Sequence, residues 1–102
     1  MSATIPQISR EYLYVEGVRA FRDGEEANPT ALTVQVAIVA QGAYPEEADW
    51  KAASWYDSTT VRILVGPSGA VTPAAGRYTA WLRITGATER PARAVGAVLI
   101  KP

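Results

Sequence analysis

Short runs in which apolar and polar residues alternate recur along this chain, and most of them are bounded by Gly, Pro, Asn or Asp. Alternation with a period of two is typical of β-strands that bury one face, and helical periodicity is nearly absent. The clearest run is 31–40, where one face is formed by Leu32, Val34, Val36 and Ile38. The predicted strands are 11–20, 31–40, 51–57, 59–66, 76–86 and 92–102.

Six or seven strands within about 90 residues, separated by regularly spaced turn signals, are typical of a β-sandwich. The chain is therefore predicted to be all-β, with one sandwich domain over 11–102 and no disulfide. Between the strands, 22–29 is predicted as a polar loop and 87–91 as a hairpin loop. Pro45 is predicted to begin a single helical turn, since proline suits the first helical position.

The first ten residues are predicted to form an extended arm outside the sandwich. This segment is polar and interrupted by Pro6, so it does not fit a core strand. Its alternating part, 4–8, would suit addition as an extra strand to a neighbouring subunit.

Cysteine and histidine are both absent from the 102 residues. The chain therefore cannot form a disulfide or a thiolate metal site, and it lacks the commonest general base near neutral pH. The glycine-rich segments 66–69 and 68–76 do not match a phosphate-binding loop. We therefore predict a non-catalytic protein with no cofactor and no metal.

The carboxylates of Glu46, Glu47 and Asp49 are the strongest hint of a cation site, because hard cations take clustered carboxylates. Their spacing is not that of a calcium-binding loop, so a solvated loop is the favoured interpretation.

The net charge and the hydropathy of the chain argue against two classes of partner, nucleic acids and membranes. The ten basic and ten acidic residues cancel, whereas a general nucleic-acid-binding protein carries a basic excess. No apolar run approaches the ~20 residues that span a bilayer, and the N-terminus lacks a signal-peptide pattern. We therefore predict folding in a cytoplasm, with neither nucleic acid nor a membrane as a partner.

The charges are segregated along the chain. Residues 1–57 hold nine acidic and four basic residues, whereas 58–102 hold one acidic and six basic residues. This split suggests a head-to-tail contact in which acidic loops of one subunit meet arginine-bearing strands of the next.

The predicted strand 76–86 carries most of the residues assigned to that contact. Arginines and threonines cannot face a small core without partners, so the parity that contains Arg77, Trp81 and Arg83 is predicted to face outward. Arg93, from the last strand, is assigned to the same interface, because Trp and Arg are enriched where interfaces bind most strongly. The alternative, that Trp81 is covered by its own chain, stays open.

The segment AAGRYTA resembles the tyrosine corner of immunoglobulin-like β-sandwiches. In that resemblance Tyr78 is the corner tyrosine and Ala80 occupies the second core cysteine position. The tryptophan expected on strand C is Trp55, with Trp50 as the rival. Because neither cysteine is present, the chain is not an antibody-type domain.

Over most of its length the chain also resembles small structural proteins encoded among the virion genes of bacteriophages that infect actinobacteria. The segments that carry this resemblance are NPTALTVQVAIVAQGAYPEEADWKAASW, VRILVGPSGAV and AGRYTAWLRITGATERPAR. It implies a non-catalytic virion component, in capsid decoration or at the head–tail junction, that contacts capsid, neck or tail proteins and forms a homo-oligomer in the particle. The alternative is a carbohydrate-binding or adhesion module that stacks sugar rings on Trp81 with Trp50 or Tyr56.

Overall fold

The chain folds into two β-sheets and a short hairpin in the computed structural model, which describes residues 2–16, 18, 20–22, 25–27, 33–57, 59–85 and 92–102. The strands are β1 (Ser2–Pro6), β2 (Glu11–Val15), β3 (Ala20–Arg22), β4 (Glu25–Ala27), β5 (Thr33–Ala40), β6 (Trp50–Ala52), β7 (Ser54–Trp55), β8 (Val61–Val65), β9 (Gly76–Thr85) and β10 (Ala92–Lys101). A 3₁₀ turn, Glu47–Asp49, precedes β6, close to the helical turn predicted from Pro45. The predicted hairpin loop at 87–91 and the end of the predicted strand at Gly86 lie outside the described residues.

The larger sheet has five strands in the order β1-β10-β9-β5-β6. Strand β9 is its centre and pairs antiparallel with β5 on one side and β10 on the other. A register irregularity interrupts the β9–β10 pairing between Ala94 and Gly96. Strand β1 runs parallel to β10 at one edge, and β6 forms the opposite edge.

The smaller sheet has three antiparallel strands in the order β2-β8-β7, with β8 in the centre. Strands β3 and β4 pair with each other as a separate antiparallel hairpin. The polar loop predicted for 22–29 is therefore wrong for Glu25–Ala27, which form a strand.

The two sheets face each other across a hydrophobic core. Within each strand the residues that belong to this core are two positions apart, which is the side-chain period of a pleated strand. The larger sheet contributes Ile5, Val34, Val36, Ala80, Leu82, Ile84, Val98 and Ile100, and the smaller sheet contributes Leu13, Val15, Val61, Ile63 and Val65. The prediction of an all-β sandwich without a disulfide is confirmed.

The strand order corresponds to that of an immunoglobulin-like sandwich. The runs β10-β9-β5-β6 and β2-β8-β7 match the G-F-C-C′ and B-E-D arrangements, although the first strand pairs with β10 rather than with β2. This order corrects the assignment of the strand-C tryptophan. Strand C is β5, which contains no tryptophan, whereas Trp50 lies on β6 and Trp55 on β7. Trp55 still packs, half-buried, against the core.

Tyr78 makes the hydrogen bond of a tyrosine corner. Its hydroxyl donates to the backbone carbonyl of Ala74, four residues upstream, over 2.8 Å. Its side chain packs against the core, and Ala80, at the cysteine position, is fully buried. The bond ties the start of β9 to the preceding loop.

The N-terminal segment is extended, as predicted, but it is a strand of this domain rather than an arm outside it. Ser2–Pro6 pair in register with 97–101 of β10, and Ile5 is only 5% exposed. Pro6 lies at the end of the strand on the sheet edge, where a missing N–H costs least. The prediction that 1–10 stands apart from the core is therefore wrong for β1.

Candidate binding surfaces on the two outer faces

The outer face of the five-stranded sheet contains Arg83, which is buried rather than exposed. Its Nε donates to Gln35 Oε1 over 2.9 Å, and its Nη2 donates to the same oxygen. Its Nη1 donates to Glu47 Oε2 over 3.1 Å, and the guanidinium lies 4.6 Å from the ring centre of Trp50. Arg83 is only 8% exposed and binds side chains of its own chain, so it does not present the free outward guanidinium that the sequence predicts.

Trp81 lies on the same face and is partly covered by its own chain. Tyr44, from the connection between β5 and β6, lies against it with ring centroids 5.5 Å apart. Ala37, the register partner of Trp81, is fully buried although it faces away from the core. The indole Nε1 is buried and has no hydrogen-bond acceptor among the described residues. The β5–β6 connection thus covers part of Trp81, and the assignment of Trp81 to an interface stays a prediction.

Arg77 and Arg93 are exposed, but they lie on different sides of the sheet. Arg77 has the outward parity of Trp81, whereas Arg93 pairs with the core residue Leu82. Directly opposed residues of an antiparallel pair project to the same side. The four predicted interface residues therefore do not form one surface.

The outer face of the three-stranded sheet carries exposed aromatic residues around an arginine. We call Tyr12, Tyr14, Tyr56 and Arg62 the tyrosine–arginine face. The three tyrosines are 43%, 40% and 58% exposed, in that order. The Tyr14 ring centroid lies 6.2 Å from that of Tyr12 and 5.2 Å from that of Tyr56, the latter pair edge to face. Such spacing is favourable for aromatic pairs, so the rings support one another while remaining accessible.

Arg62 occupies the middle of this face because β8 is the central strand. It pairs with Tyr14 on one side and Ser54 on the other. Its guanidinium carbon lies 4.3 Å from the ring centre of Tyr12 and 5.3 Å from that of Tyr56. Its Nε is buried and has no acceptor among the described residues. The rings therefore hold the cation in place, and because the unpaired Nε is buried, a partner from outside the chain would reach the guanidinium through its terminal nitrogens.

The turn after β7 positions Tyr56 at the edge of this face. The Asp57 carboxylate accepts hydrogen bonds from the backbone N–H of Thr59 over 2.9 Å and from its hydroxyl over 3.4 Å. The backbone N–H of Tyr56 donates to the carbonyl of Thr60 over 2.8 Å. The bond from the Thr59 N–H lowers the pKa of Asp57 below its ordinary value of 3.8. The carboxylate is thus ionised at neutral pH and keeps the turn closed.

The sequence prediction omits Tyr12, Tyr14 and Arg62, although the signal is present. In 11–15 and 61–65 the apolar positions Leu13, Val15, Val61, Ile63 and Val65 face the core. The tyrosines and the arginine occupy the intervening positions, so the same period-two argument places them outward. What the pattern could not show is that β2 and β8 are neighbours, which brings the three side chains together.

The described residues contain no group of three or more carboxylates, histidines or cysteines arranged to hold a metal ion. The turn before β6 is instead stabilised by interactions of Glu46, Glu47 and Asp49. Asp49 Oδ2 accepts the Glu46 backbone N–H over 2.8 Å, and Glu47 pairs with Arg83. Among the described residues, no helix is long and apolar enough to cross a membrane.

No family model and no curated protein sequence matches the chain.

Proposed function

We propose that this chain is a non-catalytic structural protein of a bacteriophage virion, and that it attaches to other virion proteins through the tyrosine–arginine face. The observation that carries the proposal is the group of exposed tyrosine rings around Arg62, whose guanidinium lies close to the Tyr12 and Tyr56 rings and whose buried Nε has no acceptor among the described residues.

The composition of this face is that of a protein-binding surface. Tyr and Arg are both enriched among the residues that dominate interface affinity. Tyrosine offers a large contact area at a small entropic cost, because only two torsions must be fixed. Here the ring contacts between Tyr14 and its two neighbours already restrict those torsions before a partner arrives. Association then requires less ordering of side chains.

The place of this protein in a virion rests on the sequence resemblance described above. Both capsid decoration and head–tail joining require a compact module that presents a surface to a larger assembly. Decoration places many copies at lattice points, whereas a neck component forms a ring of fixed copy number. The number of copies per particle therefore distinguishes the two roles.

The test is incorporation into particles of the phage that encodes the chain. With the natural gene removed, Arg62→Ser and Tyr14→Ser should each lower the number of copies per purified particle, because each removes a central contact. The matched control is Arg93→Ser, which removes an exposed arginine away from the tyrosine–arginine face. Absence of the wild-type chain from purified particles, or equal incorporation of all variants, would contradict the proposal.

A carbohydrate-binding or adhesion module is the second candidate, favoured by the exposure of Tyr44 (80%) and Tyr56 (58%). Flat exposed aromatic rings stack on sugar rings. The test is retardation of the purified protein in gels containing a soluble polysaccharide. Retardation that is lost in Tyr44→Ala or Tyr56→Ala would favour this function over protein attachment.

A further inference from the structure

A second surface, on the opposite side of the sandwich, carries the carboxylates that the tyrosine–arginine face lacks. We call Tyr44–Asp49 the acidic turn. It contains three carboxylates and no Lys or Arg. Tyr44 is 80% exposed, Glu46 is exposed, and the carboxyl-bearing side chain of Glu47 is 77% exposed. The acidic turn therefore presents an aromatic ring next to negative charge.

The acidic turn is held in one shape. The Arg83 guanidinium binds Glu47 over 3.1 Å, and Asp49 Oδ2 accepts the Glu46 backbone N–H over 2.8 Å. Immediately before the acidic turn, the Ala43 backbone N–H donates to the carbonyl of Ala40 over 2.9 Å. A turn restrained in this way loses little conformational entropy on binding.

The two surfaces point away from each other. Tyr44 and Glu47 contact Trp81 and Arg83, which lie on the outer face of the five-stranded sheet. The tyrosine–arginine face is the outer face of the three-stranded sheet. Since the inner faces of both sheets form the core, the two surfaces of one molecule cannot meet each other, but they can meet on two molecules.

We propose that the tyrosine–arginine face of one copy binds the acidic turn of a second copy, head to tail. The terminal nitrogens of Arg62 supply the donors, and a carboxylate of the acidic turn, such as that of the exposed Glu46, supplies the acceptor. The exposed Tyr44 ring lies on the Tyr14 and Tyr56 rings of the other copy. This inference rests on the proposed function in that the same face makes the protein contact, and it names a second copy as the partner.

A head-to-tail contact joins two different surfaces and does not close after two copies. The two surfaces differ, so each copy in a pair keeps one of them unoccupied, and association continues until a ring closes or a filament forms. Copies with no net charge do not repel one another at long range, and the local charge pair steers the contact.

The experiment is sedimentation velocity of the purified chain over a range of concentrations, at low and at high salt. Wild-type protein should form species larger than a dimer as concentration rises, and less so at high salt, which screens the charge pair. Arg62→Glu and Glu46→Arg should each weaken self-association by roughly tenfold or more. Tyr44→Ser should weaken it without changing charge, and Arg93→Glu, a charge reversal away from both surfaces, should leave it unchanged.

Mixing the two charge variants gives the sharpest result. Arg62→Glu protein keeps an intact acidic turn, and Glu46→Arg protein keeps an intact tyrosine–arginine face, so one native contact can form between them. Each variant should be monomeric by itself, and the mixture should contain a one-to-one complex of the two variants and no larger species. Circular dichroism and thermal unfolding of each variant confirm that it is folded.

Wild-type protein that stays monomeric at every concentration, or charge variants that do not combine, would overturn the inference. If Arg62→Ser then still fails to enter particles, the proposed function stands and the partner is a different virion protein. If the wild type self-associates as described but Arg62→Ser enters particles normally, the inference stands and the proposed function fails.

Discussion

Replacing Arg83 by methionine tests which interactions hold the β5–β6 connection on the sheet. Arg83 has two partners in very different environments. Gln35 is half-buried in the sheet and accepts from both Nε and Nη2, whereas the Glu47 side chain is 77% exposed. Methionine keeps much of the apolar stem of Arg83 but removes every donor and the guanidinium that lies over the Trp50 ring.

The structure assigns most of the cost to the buried partner. A hydrogen bond to a charged group contributes about 1.5–3 kcal/mol, and Gln35 Oε1 loses its guanidinium donors in Arg83→Met. The cation–ring contact with Trp50 adds roughly 0.5–1 kcal/mol. An ion pair with an exposed carboxylate contributes at most about 1 kcal/mol because water and salt screen it. We therefore expect Arg83→Met to lower the free energy of unfolding by about 2–4 kcal/mol, and Glu47→Gln by less than about 1 kcal/mol.

Urea unfolding of the two single variants and the double variant measures these values and the coupling between the two side chains. The Arg83–Glu47 coupling should be small and should decrease with added salt, while most of the Arg83→Met effect should persist. Glu47→Gln as costly as Arg83→Met, or a loss of the Arg83→Met effect at high salt, would refute this reasoning. In thermal unfolding, each kcal/mol should shift Tm by roughly 4–8 °C for a domain of this size.

Three further substitutions probe other parts of the fold. Tyr78→Phe removes the hydrogen bond to Ala74 and should cost about 1 kcal/mol in urea unfolding, as expected for one neutral hydrogen bond. Ile5→Ala should cost about 2–4 kcal/mol in the same assay, because Ile5 anchors β1 in the core. Asp57→Asn should destabilise the protein at pH 7, because the folded state lowers the Asp57 pKa and so favours the ionised form. That difference is fully present above pH 3.8 and is lost as the pH falls through the lower folded value, which unfolding at a series of pH values follows.

Each of these has a control. Tyr44→Phe, at a tyrosine that is 80% exposed, should change stability little, and equal costs at the two tyrosines would argue against the corner bond. Ile8→Ala, at a position that is 89% exposed, is the control for Ile5, and similar small effects at both would mean that β1 contributes little. A constant difference between Asp57→Asn and wild type at every pH would exclude the charge of Asp57 as its cause.

The period-two pattern could predict the fold class because side-chain direction within a strand is a local property. Val34 and Val36 face the core and Arg83 faces away from it in the structure, as the alternation requires. The tyrosine corner could likewise be predicted from the sequence, because its hydrogen bond joins residues only four positions apart. The pairing of the N-terminal strand could not be predicted in this way, since its partner β10 is more than ninety residues away in the sequence.

The candidate site shows the same division. The sequence determines that Tyr12, Tyr14 and Arg62 leave the core, and that Trp81 and Arg83 do so on another strand. Only the tertiary structure decides which of these outward residues remain exposed. Arg83 is covered because Gln35, 48 positions away, and Glu47, 36 positions away, fold onto it, whereas the pairing of β2 with β8 leaves the tyrosines open around Arg62. Direction follows from the geometry of a few adjacent peptides, but exposure depends on contacts between distant segments, which no local pattern encodes.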